Sequence, residues 1–178
     1  MKRHFYYIVL AVSFACISCS EELKYDFDAQ LAYDSQTIAS YLSENGISAI
    51  EHKYGIQYSV IQQGNGEPLG ERQRAVFDVT MYFLDGSFYG STLRDFDLQN
   101  GGDGEFYTRQ VFDNNSALYG FCRYFDLMAK EMTLGEERKV YVPSPMGYGF
   151  NTDDQWFRNI PPNTNIIVEL VLVEYQDY

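Results

Sequence analysis

The chain has 178 residues, enough for one domain with a short extra segment, and 46% of them are hydrophobic, enough to bury a core. A formal net charge of −12, with no basic patch interleaved with aromatics, sets it against nucleic acid and anionic membrane surfaces. The 16 Tyr and 13 Phe, against 1 Trp, suit half-buried sheet surfaces, because a tyrosine joins an apolar body to a polar tip.

The chain opens on Met1-Lys2-Arg3-His4, followed by an apolar run from Phe5 to Ala15 and then Cys16-Ile17-Ser18-Cys19. A basic start, a short apolar stretch and small residues before a cut site predict a signal peptide over 1–18. The run is too short for a bilayer span, which takes about 20 residues. Ser18-Cys19 resembles the lipobox of bacterial lipoproteins, which implies a Cys19 that is acylated and becomes the new N-terminus. The expected location is then the bacterial cell envelope: the outer membrane, on its periplasmic or surface side. A soluble secreted chain cut near Ser20 is the other reading. With residues 1–18 and lipidated Cys19 accounted for, Cys122 is the remaining thiol and reads as a buried small hydrophobe, with no internal disulfide.

Residues 19–33 are polar and acidic without clear period and read as a lipid-anchored tether. A short amphipathic helix follows, with Asp34 or Ser35 at its start, Ile38, Tyr41 and Leu42 on one face, and Asn45-Gly46 at its stop; with its connector it occupies 34–53. From Gly55 the period changes to two, with Ile56, Tyr58 and Val60 alternating with polar residues. A longer strand is predicted over 75–84, with Ala75, Phe77, Val79, Met81 and Phe83 on one face and a hairpin turn at Asp85-Gly86. Residues 93–116 read as a long surface loop with a short strand near Phe106. Asp95, Asp97 and Asp103 within it miss the calcium-loop pattern, since Asn100 stands where its glycine belongs. Leu118, Phe121, Cys122, Phe125, Met128, Ala129 and Met132 recur at helical steps and predict a helix stopped by Gly135. Strands at about 137–142 and 165–175 complete an α+β chain: one helix on a mostly antiparallel sheet.

Four segments, in order, carry a family resemblance. They are Gly55-Ile56-Gln57-Tyr58 with Gly64-Asn65-Gly66-Glu67; Leu84-Asp85-Gly86-Ser87-Phe88-Tyr89-Gly90-Ser91-Thr92; Leu134-Gly135 running through Val142-Pro143 to Gly147-Tyr148-Gly149; and Ile160-Pro161-Pro162-Asn163 through Leu170. Together they resemble the FKBP-type peptidyl-prolyl cis-trans isomerases over residues 54–178, and the preceding helix is similar to the N-terminal extension of lipoprotein members. The implied fold is FKBP-like: a twisted antiparallel sheet of about five strands wrapped on one α-helix, with a short N-terminal helical extension.

The resemblance implies a site as well. Tyr148 matches the tyrosine whose hydroxyl meets the substrate carbonyl, and Ile160 the residue whose backbone N–H bonds substrate. Tyr89 stands at a pocket phenylalanine. Ala117-Leu118-Tyr119-Gly120-Phe121 resembles the segment that supplies the floor aromatic, Phe121, with Ala117 and Leu118 lining the pocket; Phe125 is the alternative floor if an extra helical turn precedes it. The chain departs from the pattern at Gly90, which replaces the pocket aspartate; at Val168, which replaces an aromatic; and at Val79, where a tyrosine is usual. Tyr82 lies near Val79, but on the other strand face unless a bulge intervenes.

The chemistry such a site performs needs no cofactor, metal, acid or covalent nucleophile. Amide resonance holds the peptide bond against rotation by about 18–20 kcal/mol. The twisted amide has lost that resonance and is less polar, so an apolar hollow favours it over either planar form. The expected partners are proline-containing unfolded or extended segments, the membrane through the N-terminal lipid, and no nucleic acid, with the chain a monomer. Two other readings stand beside the enzyme: an FKBP-like module that holds peptides without turning them over, and a structural lipoprotein used as an interaction platform.

Overall fold

A computed structural model describes residues 25–68, 70, 73–104, 110–113, 123–149 and 160–177. The first helix, α1, runs Phe27–Glu44, and Asp26 caps it by accepting the Ala29 N–H at 3.0 Å. It therefore starts within the stretch read as a tether, and Asp34 and Ser35 are interior residues, not caps. The sequence hid this because the inward stripe, with Phe27 and Leu31 half-buried and Asp34, Ile38 and Leu42 buried, carries a carboxylate at its middle, which breaks the apolar period. The stop falls at Asn45-Gly46 as expected. Ile47 N–H donates to Leu42 O and Gly46 N–H to Ser43 O, with Gly46 at φ 63°, which is the Schellman pattern.

Among the described residues seven strands form one antiparallel sheet: β1 (Ile50–Glu51), β2 (Gln57–Gln62), β3 (Gln73–Phe83), β4 (Phe88–Ser91), β5 (Gln110–Asp113), β6 (Glu137–Val142) and β7 (Ile166–Asp177). Their order is β1-β2-β6-β7-β3-β4, with β5 also on β3. The expected count was about five; the two-residue β1 and the edge strand β5 make the difference. β3 and β7 pair along their whole length, from Gln73 opposite Asp177 to Phe83 opposite Ile166.

Strand alternation sorts the sheet into two faces. On the inner face Ala75, Phe77, Val79 and Met81 of β3, Val140 and Val142 of β6, and Val168, Leu170 and Leu172 of β7 pack with Tyr124, Phe125, Met128 and Ala129 of the helix α3 (Arg123–Ala129). On the outer face Tyr141 and Ile167 pack with Ile38 and Leu42 of α1, flanked by Tyr82 and Leu84. The predicted helix over 118–132 is described only from Arg123. It ends at Ala129, before Gly135, which instead sits in a turn at φ 77°.

The segment read as a loop over 93–116 holds a short helix, α2 (Arg94–Gln99), and strand β5; the strand expected near Phe106 lies outside the described residues. Asp97, 1% exposed, fixes α2 in place by accepting N–H bonds from Ser91 at 2.8 Å and Gly104 at 2.9 Å. Gly102 is required beside it, since a Cβ there would stand 2.1 Å from Asp97 Oδ2. Asp97 is thus an internal brace. Among the described residues no group of three or more His, Cys, Asp or Glu is placed to hold a metal, and no helix is long and apolar enough to cross a membrane.

Candidate functional site

The inner face of the sheet carries a row across three neighbouring strands. Met81 of β3 pairs with Gly90 of β4 on one side and Val168 of β7 on the other. Val79, two residues before Met81, shares that face, and Val79, Met81 and Val168 are all buried. Ile160, 5% exposed, and the half-buried rings of Tyr89 and Tyr148 pack against the same core. The structure therefore brings together Tyr89, Tyr148, Ile160, Val79 and Val168, with Gly90 in register beside them. Phe121, Ala117, Leu118 and Cys19 lie outside the described residues. Phe125, the alternative floor residue, is buried edge-on to Phe77, with ring centroids 5.0 Å apart.

Tyr89 reaches this face through a bulge. Met81 pairs with Gly90 and Tyr82 with Phe88, so Tyr89 is the extra residue on β4. Inserting one residue turns its side chain inward. Its ring then stands edge-on to Phe83 at 5.7 Å, while Phe88 goes to the outer face against Tyr82 at 5.8 Å. Because the bulge is on β4, the pairing of β3 with β7 is unbroken from Phe77 to Phe83, and Tyr82 stays on the outer face. There its hydroxyl lies 3.5 Å from Glu169, and burial, then the Glu169 charge, push its pKa up. Tyr82 does not substitute for the tyrosine missing at Val79.

Tyr148 sits in the loop that leaves β6. Its hydroxyl is 3.6 Å from the Met81 sulfur. The loop begins as a single 3-10 turn, Ser144–Met146, and Ser144 O accepts both the Gly147 N–H at 3.0 Å and the Gly149 N–H at 2.7 Å. Gly149 takes φ 60°, a conformation that costs a side-chain-bearing residue, and this turns the chain back immediately after Tyr148. The segment following Ile160 is tied to the same loop: Asn163 N–H donates to Gly149 O at 2.8 Å, and Asn165 Oδ1 accepts the Ser144 N–H at 3.0 Å.

Met81 is the site residue that sequence reasoning passed over. Its period-two place beside Val79 was visible, but its station under Tyr148 depends on the β6–β7 loop. The arrangement is largely apolar, with a thioether and aliphatic side chains beside the two phenols of Tyr89 and Tyr148. The nearby polar groups are occupied in the scaffold: Thr92 Oγ1 accepts the Val79 N–H at 2.9 Å and donates to Asp78 at 3.3 Å, and Thr80 and Ser91 hydroxyls share a bond of 2.8 Å. Among the described residues such a surface favours a less polar group over a more polar one.

No family model matches the chain. Peptidyl-prolyl cis-trans isomerase Mip of Chlamydia trachomatis serovar D is 25% identical over 162 residues, which cover 89% of this chain and 58% of that protein. The solved structure of FkpA from Escherichia coli superposes with a TM-score of 0.57 at 17% identity, over 85% of this chain and 63% of that one. A peptidyl-prolyl cis-trans isomerase of Pseudomonas syringae pv. tomato gives 0.58 at 17%, over 86% and 98% of the two chains. The three FKBP domains of wheat FKBP73 give 0.55 at 21%, over 71% and 48%. The fold is FKBP-like. It spans 58% of the length of the curated relative it matches.

Within this FKBP-like fold the order of motifs noted in the sequence is the order of parts around the inner face. The Asp85-Gly86 turn delivers Tyr89 and Gly90, the Pro143–Gly149 loop delivers Tyr148, and the Ile160 segment feeds β7.

Proposed function

We propose that the chain is a peptidyl-prolyl cis-trans isomerase. Its substrates are extended, proline-containing protein segments held against the inner-face row of Met81, Val79 and Val168. The observation that carries this reading is the seating of Tyr148 over Met81, in a loop bonded to the Ile160 segment. In this reading Tyr148 Oη donates to the substrate carbonyl and Ile160 supplies a backbone N–H and an apolar wall. Tyr89 closes the side toward β4, and Phe121, Ala117 and Leu118 are the remaining walls. Catalysis comes from binding the twisted amide better than either planar one. A proline-tetrapeptide isomerisation assay on the folded protein tests it: acceleration above the uncatalysed rate is expected, and its absence removes the enzyme reading.

A peptide-binding module without turnover is the second reading, and Gly90 favours it. No side chain stands there where the family pattern has an aspartate, and the Tyr148 hydroxyl faces a thioether. Peptide affinity without acceleration would select it.

We place the chain in the cell envelope, exported by residues 1–18 and held as a monomer by lipid on Cys19, where it assists the folding of exported proteins. Stable anchoring takes more than one acyl chain, which a lipoprotein Cys carries. Cys19→Ala is expected to move the protein from the membrane to the soluble fraction; unchanged fractionation would remove the lipid from this reading.

A further inference from the structure

The carboxylate of Asp34 is 1% exposed, halfway along α1 on the stripe that packs on the sheet. Burying a charge there is costly unless hydrogen bonds replace its water. Those bonds go mainly to one residue. Asp34 Oδ2 accepts the Ser144 N–H at 2.9 Å and the Ser144 hydroxyl at 2.5 Å, while Oδ1 accepts from Gln30 Nε2 at 2.8 Å. Ser144 is fully buried and is the root of the Tyr148 loop, since its carbonyl accepts the N–H of both Gly147 and Gly149. The Tyr25 hydroxyl closes the same corner, 4.0 Å from where a Cβ on Gly149 would be. A leucine at position 34 would continue the stripe of Phe27, Leu31, Ile38 and Leu42, so packing alone does not call for a carboxylate.

We infer that Asp34 is a positioning residue: through Ser144, the N-terminal helix holds the 144–149 loop so that Tyr148 stays over Met81. This rests on Tyr148 being a site residue, and it makes α1 part of the site although the helix precedes every family motif. Bonds to a charged acceptor are among the stronger neutral-donor contacts, so their loss should free the loop.

The test compares the full chain with Asp34→Leu, Ser144→Ala and the conservative Asp34→Asn. Hydrogen exchange at the Gly147 and Gly149 amides is read against core amides such as Leu170, together with kcat and KM on a proline tetrapeptide. Asp34→Leu is expected to lose about tenfold protection at Gly147 and Gly149 with the core unchanged. Its kcat should fall by a similar factor with little change in KM, and Asp34→Asn, which keeps an acceptor for Ser144, should retain most of both. If Asp34→Leu does not fold, Ser144→Ala carries the same expectation at about threefold, since one of the two donors to Oδ2 remains. Unchanged exchange at both glycines, or a loss spread evenly over the sheet, overturns the inference. A parent chain that accelerates nothing overturns the isomerase reading instead, and the exchange data still decide the role of Asp34.

Discussion

At Tyr148 the ring and the hydroxyl do different work, and the two separate by substitution. The ring packs against the inner core, while the hydroxyl lies 3.6 Å from the Met81 sulfur. Tyr148→Phe keeps the ring and removes the donor, so on the proposed isomerase reading kcat/KM should fall about three- to tenfold, the worth of one hydrogen bond, while the thermal midpoint holds. Steady-state kinetics beside a melting curve check this. Asp85, in the β3–β4 turn, accepts the Ser87 N–H at 2.9 Å and the Ser87 hydroxyl at 2.6 Å. These bonds hold its carboxyl below the usual carboxylate range. A lowered folded-state pKa means that the stabilisation is present above the ordinary carboxylate pKa and is lost as pH falls through the lowered one. Ser87→Ala removes the hydroxyl bond, the largest cause of the shift, and should move the Asp85 titration upward, as read by NMR. The Asp85-Gly86 turn was legible because Gly86, at φ 85°, occupies a conformation that favours glycine. The role of Asp34 was not, because an aspartate ahead of an apolar helical stripe reads as a cap until its partner, 110 residues away, is brought to it.

At the scale of elements, β6 falls where its pattern put it, yet it carries a buried cation that no period reveals. Arg138 lies over the Tyr58 ring at 4.5 Å, pairs with Glu136, and donates to Glu131 O at 3.3 Å. The Arg138 and Glu136 side chains are 7% and 6% exposed. Removing one partner of a buried pair strands the other charge, so Arg138→Met should cost about 3–5 kcal/mol in urea unfolding. Adding Glu136→Gln should recover much of that, since Gln still accepts from Thr133, whose N–H meets Glu136 at 2.9 Å. α2 and β5 escaped the sequence for a related reason. α2 is six residues long, and Leu93 beside it, with Phe96 and Leu98 on it, is exposed, so it has no buried stripe to announce it. It is held through Asp97 by N–H groups outside the helix, from Ser91 and Gly104. β5 is a strand through its register on β3, Ala75 opposite Phe112 and Val76 opposite Val111.

At the scale of the whole molecule, one sheet separates two clusters with different tasks. The inner one, with α3, supports the candidate site; the outer one seats α1. Phe77 is fully buried at the centre of the inner face, edge-on to Phe125. Phe77→Ala should cost about 3–5 kcal/mol of global stability by chemical denaturation, the range for a large core aromatic cut to a methyl group. Much of this architecture was determined by the sequence alone. The period of two placed β2 and β3, the run of Ile and Val placed β7, and the period near 3.6 placed α3. Asn45-Gly46 ended α1, and the motif order implied the FKBP-like fold. These signals are local: spacing along the chain decides which side chains share a face. Tertiary structure alone decided the rest. It put the bulge at Tyr89 on β4, so that Tyr82 remained outside; it set Met81 beneath Tyr148; and it joined Asp34 of α1 to Ser144. Each of these depends on which distant backbone supplies the matching hydrogen bond, and residue spacing carries no record of that.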